Sequence, residues 1–111
     1  QVLPELKIGG VETGTIDLAK WLKEHGHKPV IVSGGGRLVR QLENLGIRHY
    51  ELPIGKKSPF TIIPMIRALR QIIIKEDIHI VHARSRIPAL SAFFAARATQ
   101  RAFITTAHGY Y

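Results

Sequence analysis

Five short runs rich in β-branched residues alternate, along all 111 residues, with longer segments whose apolar residues recur at helical spacing, and turn residues separate them. Strict strand–helix alternation leaves few folds open, because each parallel strand needs a crossover and each crossover helix must bury its apolar stripe on the sheet. Right-handed crossovers then predict a doubly wound, Rossmann-like α/β fold, a parallel sheet of about five strands with helices on both faces.

The first predicted strand lies near Gln1 to Leu3, and a helix follows through Val11, Leu18, Ala19 and Leu22 until Gly26 ends it as a left-handed cap. Pro29 opens Val30-Ile31-Val32, which has no polar alternation and so reads as an interior strand. Gly34-Gly35-Gly36 turns the chain into a short amphipathic helix through Leu38, Leu42 and Leu45, closed by Gly46, before a strand near Arg48 to Leu52. Ser58-Pro59 and Thr61 offer starts for the next helix, with Ile62, Ile66, Leu69 and Ile73 on its apolar side, Arg67, Arg70, Gln71 and Lys75 on its wetter side, and Pro64 expected in its first turn. A strand over Ile78 to His82 leads through Ser85, a candidate cap, to a helix from about Pro88 to Ala98 that is apolar on most sides and is expected to be well covered. Phe103 to Thr106 forms the fifth strand.

Length allows one packed domain over residues 1–111 and not two. The chain opens without methionine in a strand-like run and stops at Tyr110-Tyr111 directly after a strand, and both ends read as cut edges of a longer protein. Sixteen Lys and Arg against eight Asp and Glu give a formal charge of +8, which favours anionic partners: nucleic acid, phosphorylated substrates or an acidic bilayer. With no cysteine there is no disulfide, thiolate metal site or Cys nucleophile. No apolar run approaches ~18 residues and no signal peptide is visible, so a cytoplasmic domain is expected.

In a doubly wound sheet ligands gather where the strand order reverses, so function is expected at Gly9-Gly10, at His82 to Arg86 and at His108. Glycines before a helix start expose N–H groups that favour an anion, though a tight turn would need the same glycines. A dinucleotide fingerprint is disfavoured, because the spacing is GG-x3-G and the second strand ends in Ser33-Gly34 rather than an acidic residue, which makes a nicotinamide-dependent oxidoreductase a lesser alternative. Gly55-Lys56-Lys57-Ser58 is not a Walker motif, since Tyr50 stands where a glycine is required; it reads as a solvated basic turn, or as part of a basic patch with Arg67, Arg70 and Lys75. His79 and His82, three apart on a strand, cannot chelate one ion, and no metal is expected. Arg84 suits phosphate or carboxylate at the crevice, whereas Arg86 reads as surface charge. A nucleic-acid-binding α/β module is a further alternative, weakened by the lack of aromatic residues interleaved with the basic ones, and no nucleic-acid partner is expected.

Five pieces in order, Gln1-Val2-Leu3-Pro4, Gly9-Gly10-Val11-Glu12, His25-Gly26-His27 leading into Val30, Ile80-Val81-His82-Ala83-Arg84-Ser85 and Thr105-Thr106-Ala107-His108-Gly109, resemble glycosyltransferase family 4. The resemblance implies the amino-terminal, acceptor-side half of a GT-B enzyme. Such enzymes transfer a sugar, with retention of configuration and without a bound metal or other cofactor, from a nucleotide-sugar to a lipid-linked, lipopolysaccharide or polysaccharide acceptor. It implies that Gly9 and Gly10 lie against the donor diphosphate or the acceptor, that His108 is the catalytic residue near the transferred sugar, and that His82, Arg84 and Ser85 border the acceptor pocket. The family's donor-binding basic residues and E-x7-E-type motif have no counterpart here, so the 111 residues alone are expected to be inactive. Relatives that act on lipid-linked acceptors make an anionic membrane surface, at its cytoplasmic face, a further expected partner.

Overall fold

The computed structural model describes residues 1–4, 10–54, 59–84 and 86–106. The elements run α1 (Gly10–Glu24), β1 (Val30–Ser33), α2 (Val39–Asn44), β2 (Arg48–Glu51), α3 (Pro59–Lys75), β3 (Ile80–Ala83), α4 (Arg86–Ala98) and β4 (Ala102–Thr105). β1 and β2 pair in parallel from Val30↔Arg48 to Ser33↔Glu51, and β3 and β4 from Ile80↔Ala102 to Ala83↔Thr105. The amino-terminal segment joins the two pairs, with Val2 bridging Val32 on one side and Ala83 on the other, both parallel. Its backbone donates from Val2 to the His82 carbonyl (2.8 Å) and from Leu3 to the Val32 carbonyl (3.0 Å), and accepts from Arg84 at Val2 (2.9 Å). The order is therefore β2, β1, the amino-terminal segment, β3, β4, with the reversal between that segment and β3. The expected sheet of about five strands is present as four strands and this shorter central segment.

Two cores cover the two faces. Ile16 and Ala19 of α1 and Leu42 of α2 pack with Leu3, Ile31 and Ile47 on one side. Met65, Leu69, Ile72 and Ile73 of α3 and Ala92, Ala95 and Ala96 of α4 pack with Val2, Val30, Val32, Val81 and Ala83 on the other. All four residues of β1 are buried, as its unbroken apolar run requires of a strand covered on both faces. Gly26 (φ 84°) and Gly46 (φ 72°) end α1 and α2 in the left-handed conformation, where a side chain would be strained.

Three expectations are corrected. Helix α3 begins at Pro59, so Pro64 falls in its second turn. There it has no N–H to donate to the carbonyl of Phe60. Helix α4 begins at Arg86 rather than Pro88 and is not well covered, since Leu90, Phe93 and Phe94 remain exposed. Its small residues Ala92, Ala95 and Ala96 are the ones that permit close approach to the sheet, which turns the bulky ones outward. Strand β3 begins at Ile80 rather than Ile78, because Asp77 takes a left-handed φ of 51° and the chain is still turning out of α3.

Candidate functional site

The carboxyl ends of the central strands gather side chains from three parts of the chain. Val2 and Ala83 share a face, so Gln1, Leu3, His82 and Arg84 project from the other, the face that α1 covers. The Arg84 Nε–H donates to Gln1 Oε1 (2.5 Å), and Gln1 Nε2 donates to the carbonyl of Thr15 in α1 (3.1 Å). A guanidinium nitrogen of Arg84 lies 3.9 Å from where a Cβ on Gly14 would stand, an ordinary van der Waals distance, so the arginine lies against the second turn of α1. Burial holds the Arg84 pKa below its ordinary value without threatening its charge. His82 Nε2 lies 2.6 Å from the hydroxyl of Thr106, which follows β4, and the Thr106 N–H donates to the Ala83 carbonyl (3.0 Å). A partly buried cation, an imidazole and the opening turns of a helix thus stand together at the strand-order reversal, an arrangement that suits a phosphorylated or hydroxyl-rich ligand.

Two other polar clusters tie elements together, one at the carboxyl end of β1 and one at the opposite edge of the sheet. Ser33, wholly buried at the end of β1, lies 2.6 Å from His49 Nε2 and accepts the Gly35 N–H (3.1 Å). Glu76, 4% exposed at the end of α3, accepts from the Tyr50 hydroxyl (2.9 Å), Lys28 (3.0 Å) and Arg48 (3.2 Å). The Lys28 ammonium, with Tyr50 and Arg48 behind it, holds the Glu76 carboxyl below its ordinary pKa against the opposing effect of burial. A cavity of about 860 Å³ opens at the strands' amino ends, lined there by Pro29, Leu69, Glu76 and Ile80, and reaches inward to Gln1 and His82. Its mouth lies at the edge opposite to the one where a doubly wound sheet binds its ligand. Among the described residues no cluster of His, Cys, Asp or Glu could hold a metal ion.

Of the residues singled out from sequence, the structure brings His82 and Arg84 to the carboxyl edge and starts α1 at Gly10. Gly9, Ser85 and His108 lie outside the described residues, as does the Gly55-to-Ser58 turn. Sequence reasoning missed Gln1 as the partner of Arg84; the two are 83 positions apart, and only the pairing of the first segment with β3 brings them together.

Comparison with known proteins agrees with this architecture. The family model of Glycosyltransferase Family 4 matches residues 8–111. A subunit of the human phosphatidylinositol N-acetylglucosaminyltransferase is 30% identical over 110 residues, covering 91% of this chain and 22% of its own length. A crystal structure of a glycosyltransferase from Rickettsia africae superposes with a TM-score of 0.87 at 43% identity, covering 99% of this chain and 30% of that one. The C-terminal domain of a hydrogenase from Pyrococcus furiosus shares the fold alone, with a TM-score of 0.65 at 15% identity over 94% of this chain and 88% of that one. This chain thus spans under a third of the two glycosyltransferases it matches. It belongs to glycosyltransferase family 4, with the Rossmann-like fold of an amino-terminal GT-B domain.

Proposed function

We propose that this chain is the acceptor-side half of a retaining hexosyltransferase that moves a sugar from a nucleotide-sugar to a glycolipid at the inner face of a membrane. The observation that carries the reading is the meeting of Arg84, His82 and the first turns of α1 at the strand-order reversal. Departure of a nucleoside diphosphate concentrates negative charge, which oriented N–H groups and cations must meet. In this reading Gly9 and Gly10 lie against the diphosphate or the acceptor, and His82, Arg84 and Ser85 border the acceptor. His108, which follows Thr106 by two positions, touches the transferred sugar. A downstream donor-binding domain supplies basic and paired acidic residues, no metal takes part, and the 111 residues alone do not turn over. The human relative's phosphatidylinositol acceptor and N-acetylglucosamine donor make those the first pair to test here.

In the full-length enzyme, His108→Ala should lower kcat about 100-fold or more, the scale of a lost positioned proton donor or acceptor, with unchanged far-UV dichroism. Incorporation of labelled N-acetylglucosamine into phosphatidylinositol, followed by other nucleotide-sugars and glycolipids, reads the effect. Turnover equal to the parent would remove His108 from the site.

A further inference from the structure

One amide joins the first segment, the end of β3 and α1. Val2 is in register with Ala83, so Gln1 lies level with His82, and Leu3 with Arg84. The Arg84 side chain nevertheless turns diagonally back and gives its Nε–H to the side-chain carbonyl of Gln1 (2.5 Å). The amide nitrogen of Gln1 donates in turn to the carbonyl of Thr15 (3.1 Å), a residue wholly buried in α1. A guanidinium only donates and a backbone carbonyl only accepts, so these two partners leave the amide a single orientation. Through it the arginine is tied to a fixed point of the helix.

The partner is neutral, and that decides what the arginine can do. With Nε–H engaged, the guanidinium keeps its Nη hydrogens and its whole charge, and one Nη lies against Gly14 in the second turn of α1. Elsewhere cations meet carboxylates: Lys28 and Arg48 share Glu76, and Arg101 pairs with Asp77. Among the described residues no carboxylate lies within ion-pair distance of Arg84. A partly buried cation that is oriented but not neutralised has given up water without gaining a counter-charge, and an anionic ligand supplies one. Glutamate at position 1 would have nearly the same shape and would still accept from Nε–H, but it would cancel the charge.

We infer that Gln1 is a positioning residue: it holds the Arg84 guanidinium against the opening turns of α1 with its charge uncancelled, so that the Nη edge grips a phosphoryl group of a substrate. The inference rests on the glycosyltransferase reading for the two sources of such a group, the leaving nucleoside diphosphate and a phospholipid acceptor. For the rest it stands on the geometry of the amide and the arginine.

Isothermal titration of the full-length protein with inorganic pyrophosphate and with glycerophosphoinositol tests it, the first standing in for the donor's diphosphate and the second for the acceptor's phosphodiester. The parent should bind at least one of them, and the one whose affinity falls in the variants identifies the source. Gln1→Met keeps the length of the side chain and loses both hydrogen bonds, so Kd should rise about tenfold, the scale of one hydrogen bond to a charged group. Gln1→Glu should weaken binding at least as much although it keeps an acceptor for the Arg84 Nε–H, a loss that a merely structural role would not produce. It also carries the test if Gln1→Met alters the dichroism. Added to Arg84→Met, Gln1→Met should cost no further affinity, because Gln1 acts through Arg84. A parent that binds neither phosphate, a Gln1 variant that binds as the parent does, or losses that add in the double variant would overturn the inference. Transfer of labelled N-acetylglucosamine to detergent-dispersed phosphatidylinositol keeps the two readings apart. Parent and Gln1 variants with equal KM and kcat sink the positioning role alone, whereas phosphate affinity that depends on Gln1 in a protein without transfer sinks the transferase reading alone.

Discussion

Ser33 has its hydroxyl wholly buried at the end of β1, where it needs both His49 and the Gly35 N–H to replace water. Burial holds the His49 pKa below its ordinary 6.5, with Glu51 and Glu43 partly opposing. The unfolded chain therefore takes up the proton more readily than the folded one. The contribution to stability is complete above about pH 6.5 and is lost as pH falls from there toward the folded value. Urea unfolding of the full-length protein and His49→Gln at about pH 7.5 and 5.5 should show a smaller acid loss in the variant; equal losses would refute the assignment. Gly34, one residue on, donates to the Pro4 carbonyl at 2.7 Å, and a Cβ there would stand 2.6 Å from the same oxygen. Gly34→Ala should destabilise by about 1–3 kcal/mol, the usual range for overpacking against backbone, and an unchanged denaturation midpoint would contradict that clash.

At the scale of elements, the short connections are held by local caps. Helix α4 ends with Gln100 in the left-handed region (φ 57°), and the Arg101 N–H donates to the Ala96 carbonyl at 2.8 Å. Glycine adopts that conformation without the Cβ penalty, so Gln100→Gly should raise stability by about 0.5–1 kcal/mol in thermal unfolding, and a lower midpoint would show that Gln100 makes an offsetting contact. The elements are largely readable in sequence where one periodicity rules alone. Val30-Ile31-Val32 is apolar without interruption and is the buried interior strand it predicts, and Gly26 and Gly46 close their helices as expected. Legibility fails where a non-glycine residue does glycine's work: Asp77 takes the left-handed region without a glycine to mark the turn, so periodicity starts β3 too early. It fails again at α4, because an apolar composition does not tell which side packs, and the alanines rather than Phe93 and Phe94 face the sheet.

At the scale of the whole molecule, strand order decides where chemistry can happen. The amino-terminal segment lies between β1 and β3, α1 and α4 leave toward opposite faces, and the crevice this creates lies at the strands' carboxyl ends. That edge is legible from the alternation of elements, whereas the contacts within it are not. Periodicity places His82 and Arg84 on strand β3 or just past it, but their pairing with Thr106 and Gln1 depends on neighbours 24 and 83 positions away. The cavity at the opposite edge, about 860 Å³, has no sequence signature of its own.

Hydrogen exchange of the full-length enzyme, with and without a nucleoside diphosphate and a phosphatidylinositol acceptor, separates the two edges. Slowed exchange in peptides covering residues 9–15, 82–86 and 106–109, with those covering 26–30 and 76–80 unchanged, is the result predicted here. Protection confined to the latter pair would place the ligands at the amino edge and contradict the assignment of the carboxyl edge as the working one.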